Sequence, residues 1–109
     1  MLANAMELVD RHLAQNVSID ITQQMVRIDS TNGKEADLGN RLAAQLELIG
    51  VGRVWVEEVF DGRVNTFWEI DSGKPGPHLL FTGHLDTKPV CEGWTRDPFD
   101  ATIDKDRLF

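Results

Sequence analysis

Cysteine is almost missing from this chain, and the single one, Cys91, excludes an internal disulfide. A chain without disulfides fits a reducing cytoplasm, which is the expected localisation. Basic residues are outnumbered, 11 Lys and Arg against 18 Asp and Glu, for a net charge of −7 and a pI near 4.8. Such a charge repels a phosphate backbone, so no nucleic-acid partner is expected. No apolar run approaches the roughly 20 residues that cross a bilayer, and no membrane partner is expected either. The opening residues, Met1 to Glu7, lack a basic region and a long apolar core and do not read as a signal peptide. Internal repeats, low-complexity tracts, a phosphate-cradling glycine loop and a basic patch are missing as well. What is present is 109 residues, 41% hydrophobic and 27% charged, room for one small globular domain at most.

One stretch organises the rest: Leu79-Leu80-Phe81-Thr82-Gly83-His84-Leu85-Asp86-Thr87-Lys88-Pro89-Val90. It opens as an apolar run short enough for a buried strand and ends in a polar burst bounded by Gly83 and Pro89. A buried strand delivering His84 and Asp86 at its exit would plant chemistry on a rigid support. The two residues are two apart, so on an extended backbone both side chains point to the same side. Such a pair is read in two ways. One is structural, a capped strand end or a surface ion pair. In the other, the imidazole binds a metal through one ring nitrogen and the carboxylate orients it.

The preceding chain predicts helices and a hairpin. Leu2, Met6, Val9 and Leu13 form one apolar stripe of a first helix ending at Asn16, with His12 beside the stripe as a partly exposed residue. A second helix is expected from Asp20, with Gln23 three residues on completing a capping box and Ile21, Met25 and Ile28 as its apolar face. Asp29-Ser30-Thr31-Asn32-Gly33 is a turn by composition. Glu35 to Ile49 is a helix with Leu38, Leu42, Leu46 and Ile49 facing a sheet, Glu35 in its first turn and Gly50 as its stop. Arg53 to Phe60 and Arg63 to Ile70 are strands joined at Asp61-Gly62 into an antiparallel hairpin, with Trp55 and Trp68 as packing residues. Asp71 to Pro77 is a loop, and His78 is a solvated residue at the start of the organising strand. Cys91 reads as a small buried or half-buried side chain. Ala101 to Ile103 and Arg107 to Phe109 flank a last turn at Asp104-Lys105-Asp106.

Gly83-His84-Leu85-Asp86-Thr87-Lys88-Pro89, followed by Trp94 and Asp97-Pro98-Phe99, resembles the dinuclear zinc hydrolases that include acetylornithine deacetylase, succinyl-diaminopimelate desuccinylase, aminoacylase and carboxypeptidase G. Arg27-Ile28-Asp29-Ser30-Thr31-Asn32 is similar to that family's opening and Val64-Asn65 to its strand before the motif. Trp94-Thr95-Arg96-Asp97-Pro98-Phe99 looks closest to the acetylornithine deacetylase branch, whereas Lys88 stands where the family more often has valine. The resemblance implies an α/β fold, with residues 1–109 as the N-terminal part of a zinc-exopeptidase-like catalytic domain whose mixed sheet flanked by helices is incomplete in this chain. It implies His84 as a metal ligand and Asp86 as the acidic partner that holds an imidazole and tunes the metal. It also implies two Zn2+ ions per site, with Co2+ a possible substitute, and an N-acyl amino acid or small peptide as substrate. No substrate-binding residue is assigned.

Amide bonds resist neutral water. Zinc lowers the pKa of its bound water toward about 7 and polarises the carbonyl, and a glutamate serves as general base. A catalytic zinc takes about three protein ligands, and this sequence offers one, His84. The resemblance places the bridging aspartate, the Glu-Glu pair, the remaining ligands and a lid that forms a homodimer beyond Phe109, since Glu57-Glu58 falls in a strand before the motif. The chain alone is therefore expected to be inactive. Two other readings stay open: a catalytically silent relative or truncated product acting as an interaction module, and an unrelated α/β binding domain with an incidental His-x-Asp.

Overall fold

The protein's structure is a computed structural model that describes Asn4, Met6, Glu7, Asp10, Arg11 and residues 17–109. Those first five residues have helical backbone, and Arg11 pairs with Glu7 one turn earlier at 3.6 Å. Of the expected first stripe, Met6 is exposed, while Leu2, Val9, His12, Leu13 and Asn16 lie outside the described residues. Helix α1 runs Val17–Val26 and helix α2 runs Glu35–Ile49. Strands β1 (Arg53–Phe60) and β2 (Arg63–Glu69) form one antiparallel sheet; β3 (Ile103–Asp104) and β4 (Arg107–Leu108) form another. The chain divides into two compact units, Ile28–Gly93 and a second that joins Met1–Arg27 to Trp94–Phe109.

The unit Ile28–Gly93 is a helix laid on a hairpin. Asp61 and Gly62 both take positive φ, 46° and 77°, the backbone a two-residue hairpin turn needs to match the twist of its strands. The register sets Trp55 opposite Phe67, and their rings stack at 4.9 Å. The other face carries Val54, Val56, Val64 and Thr66 and receives α2. Thr66 Oγ1 donates to the Gly39 carbonyl at 2.8 Å, a close approach that the missing side chain of Gly39 permits. The buried line on α2 is therefore Glu35, Leu38, Gly39 and Ala43, with Leu42 and Leu46 half-buried, and Ile49 of the expected stripe is exposed. Small residues at the contact bring the strands in, and the line drifts off Ile49 by the last turn. Gly50 ends α2 in the left-handed conformation, its N–H donating to Glu47 O at 3.0 Å.

In the other unit, α1 begins at Val17, so Asp20 is a first-turn acid and not the expected cap. Ala101, fully buried, accepts a hydrogen bond from Gln23 Nε2 at 2.8 Å, and Arg27 Nε donates to Asp100 O at 3.3 Å. The β3–β4 turn at Lys105–Asp106 is where the sequence put it, with shorter strands than expected. Arg96 pairs with Asp104 at 2.8 Å and lies over the Phe109 ring.

The expected organising strand does not form. Leu79 to Phe81 is neither a strand nor buried: Leu79 is 80% exposed and Leu80 and Phe81 are each 85% exposed. An apolar run becomes a buried strand only when a neighbouring strand takes its backbone hydrogen bonds and a helix covers its face. Among the described residues β1 and β2 pair only with each other, and nothing pairs with residues 79–81. The mixture of helix and strand is that of an α/β chain, and the described strands make two antiparallel pairs. His78 is exposed as expected, while Cys91 is exposed and not half-buried.

Candidate functional site

The geometry of the site begins at Leu85. Its side chain is half-buried and reaches toward the contact between α2 and β2, close to Gly39. On either side of it His84 is exposed and Asp86 is half-buried. His84 Nδ1 lies 2.7 Å from the Asp86 carbonyl oxygen and 3.2 Å from Asp86 Oδ1. Both atoms are acceptors, so Nδ1 carries the proton in the neutral ring and donates it to them. Nε2 then holds the lone pair. Among the described residues it has no hydrogen-bond partner, and the His84 side chain is 82% exposed against 39% for Asp86. An imidazole held through one nitrogen with the other presented outward is able to ligate a metal.

A non-local pairing fixes the exit of the motif. Thr87 N–H donates to Ser30 O at 3.0 Å and Asn32 N–H donates to Thr87 O at 3.3 Å, so Thr87 lies parallel to Thr31. Ser30 is buried there. The turn that receives Thr87 is itself held by carboxylates at both ends. Asp29 Oδ1 accepts from Thr31 N–H at 3.1 Å and from Thr31 Oγ1 at 2.7 Å, and Oδ2 accepts from Lys34 Nζ at 2.5 Å. The Lys34 ammonium, then the Thr31 hydroxyl and N–H, lower the Asp29 pKa to about 2. At the other end Glu35 Oε1 accepts from Gly33 N–H at 3.0 Å and from Arg63 at 2.6 Å. The Gly33 N–H, the residue's own N–H and the Arg63 guanidinium hold the Glu35 carboxyl below its usual range, against the opposing effect of burial.

The structure thus brings together the two residues singled out in the sequence and adds Asp29, Glu35 and Thr87, which the motif alone does not single out. Asp29 was legible as a turn former and Glu35 as a first-turn acid; their link to the motif runs through backbone pairing that no local pattern announces. Among the described residues no group of three or more His, Cys, Asp or Glu could hold a metal ion. One imidazole and one orienting carboxylate are fewer than the roughly three protein ligands a catalytic zinc takes, so the described residues by themselves do not complete such a site.

A curated succinyl-diaminopimelate desuccinylase from Rhizorhabdus wittichii is 39% identical to the chain over 87 residues, 78% of this chain and 23% of that protein. An acetylornithine deacetylase from Aliivibrio fischeri is 33% identical over 98 residues, 83% of this chain and 25% of that protein. The chain belongs to the desuccinylase and deacetylase family. A third relative, the succinyl-diaminopimelate desuccinylase of Hydrogenovibrio crunogenus, is 31% identical over 93 residues, 84% of this chain and 24% of that protein. The chain spans about a quarter of the length of the curated relatives it matches. No family model matches the chain, and no solved structure does. Family membership gives the hydrolase character of the relatives, and no described helix is long and apolar enough to cross a membrane.

Proposed function

We propose that the chain supplies one metal ligand and its orienting acid to a metal-dependent amidohydrolase that removes an acyl group from an N-acylated amino acid. The observation that carries this reading is the His84 ring, held at Nδ1 by Asp86 and open at Nε2. In this reading His84 binds one of two zinc ions, for which Co2+ can substitute, and Asp86 sets the ring's tautomer and orientation. Zinc bound there would lower the pKa of a bound water toward about 7 and polarise the amide carbonyl. The remaining ligands and the general base belong to residues of a longer parent hydrolase, and residues 1–109 alone do not hydrolyse amides.

The relatives' names support this substrate class, succinyl-diaminopimelate and acetylornithine both being amides of a diamino acid. Trp94 to Phe99 favours the acetyl substrate, whereas the 39% identity over 87 residues is to a desuccinylase. The test is hydrolysis of both substrates, with simple N-acetyl amino acids beside them, by the parent protein and by residues 1–109, each with added zinc. Hydrolysis by the parent alone supports the reading. Turnover by neither, or by residues 1–109 with stoichiometric zinc, contradicts it.

A further inference from the structure

We propose that Asp29 and Glu35 are positioning residues for the His84–Asp86 pair: together they lock the turn from Asp29 to Lys34, whose backbone holds Thr87, the residue after Asp86. Each link is a hydrogen bond. Asp29 fixes Thr31 through its N–H and hydroxyl, Glu35 fixes Gly33 through its N–H, and Lys34 N–H closes the turn on Thr31 O at 2.8 Å. On either side of Thr31, Ser30 and Asn32 exchange backbone hydrogen bonds with Thr87. The Asp86 carbonyl that accepts the His84 proton is bonded directly to the Thr87 nitrogen, so the orientation of that peptide is set by the turn.

Glu35 is an expensive residue to keep for stability alone. It is only 3% exposed, and its Oε2 is buried with no hydrogen-bond partner. A buried carboxylate oxygen left unpaired costs folding free energy, and an apolar side chain of similar size would fill the same space. What only a fixed acceptor supplies is the hold on Gly33, with Arg63 locking the carboxylate in place at 2.6 Å. Asp29 makes the matching hold from the other end at the surface. Two carboxylates from different environments, converging on one turn that carries one threonine of the motif, are accounted for by the need to place that threonine.

The functional weight of this clamp rests on the reading of His84 as a ligand, but its test uses neither metal nor turnover. A failed hydrolysis assay therefore leaves the clamp standing, and a failed clamp leaves the hydrolysis assay unaffected. In isotopically labelled chain two quantities are read: hydrogen exchange at the Thr87 amide, and the His84 ring nitrogen shifts that report the Nδ1–H tautomer. Glu35→Ala is expected to speed Thr87 exchange about tenfold, the equilibrium equivalent of roughly one net hydrogen bond, and to lower the Nδ1–H share. Glu35→Gln, which keeps an acceptor for Gly33, restores both. Asp29→Ala moves both in the same direction as Glu35→Ala, and it decides alone if Glu35→Ala costs α2 its circular dichroism. Unchanged Thr87 exchange and tautomer in Asp29→Ala overturn the proposal. So does an acceleration spread evenly over all amides, which is general loss of stability.

Discussion

Gly39 faces Val64 so closely that a Cβ placed on the glycine would stand 2.5 Å from Val64 Cγ2, with Leu85 Cδ1 at 3.3 Å. A helix-interior glycine costs about 1 kcal/mol in propensity relative to alanine, so its presence in α2 needs a reason, and the close approach is that reason. The same contact seats Leu85 between His84 and Asp86.

Gly39→Ala tests which effect wins. The substitution gains about 1 kcal/mol of helix propensity, but overpacking costs about 1–3 kcal/mol. Val64 is β-branched and held in β2, so it cannot swing aside freely. A net loss of about 1 kcal/mol is expected in urea unfolding, with a rise in stability contradicting the close packing.

Much of this unit was legible in the sequence because its signals are local. Glu35 and Gly50 bracket α2 where the structure has it, and Asp61-Gly62 turns the hairpin where expected. The drift of the buried line from Ile49 to Gly39 and Ala43 was not, because it depends on how near β2 comes. At the site, the two-residue spacing foretold the meeting of His84 with Asp86, while the pairing of Thr87 with Thr31, fifty-six positions earlier, leaves no local trace. Leu79 to Phe81 misled for the same reason: apolar composition states that a strand can form, and only partners elsewhere decide that it does.

Acid should loosen the turn through Asp29. Its folded pKa of about 2 lies below the ordinary 3.8, so its contribution is present above about pH 4 and is lost as pH falls toward 2. Asp29→Asn removes that dependence. The stability gap between the original chain and Asp29→Asn, from urea unfolding, is expected to be widest near about pH 6 and to close by about pH 2. A gap that stays constant across this range contradicts the Lys34 and Thr31 hydrogen bonds as its source.

The exposed run Leu79-Leu80-Phe81 is a surface on which copies of the chain should associate. Sedimentation of residues 1–109 is expected to show concentration-dependent mass, and Leu80→Lys with Phe81→Lys to shift it toward monomer. Unchanged mass in that double variant removes the run as the cause.

Asp86→Asn separates orientation from ligation. The Asp86 backbone carbonyl at 2.7 Å and an amide oxygen at the place of the carboxylate, 3.2 Å away, still accept the Nδ1 proton in the variant, and what is lost is the negative charge. In the proposed parent hydrolase, activity is expected to fall about 10–100-fold, the usual cost of altering a metal ligand's orienting partner, with metal content falling less than activity. Metal lost as completely as from His84→Ala would make Asp86 a ligand.

The central claim is that His84 presents Nε2 to a metal, and the most direct measurement is the zinc content of the purified parent protein with and without His84→Ala, read alongside amide hydrolysis and circular dichroism. The variant is expected to keep its helices, to lose zinc from one of the two positions and to lose nearly all turnover. Unchanged zinc stoichiometry with unchanged hydrolysis would contradict it.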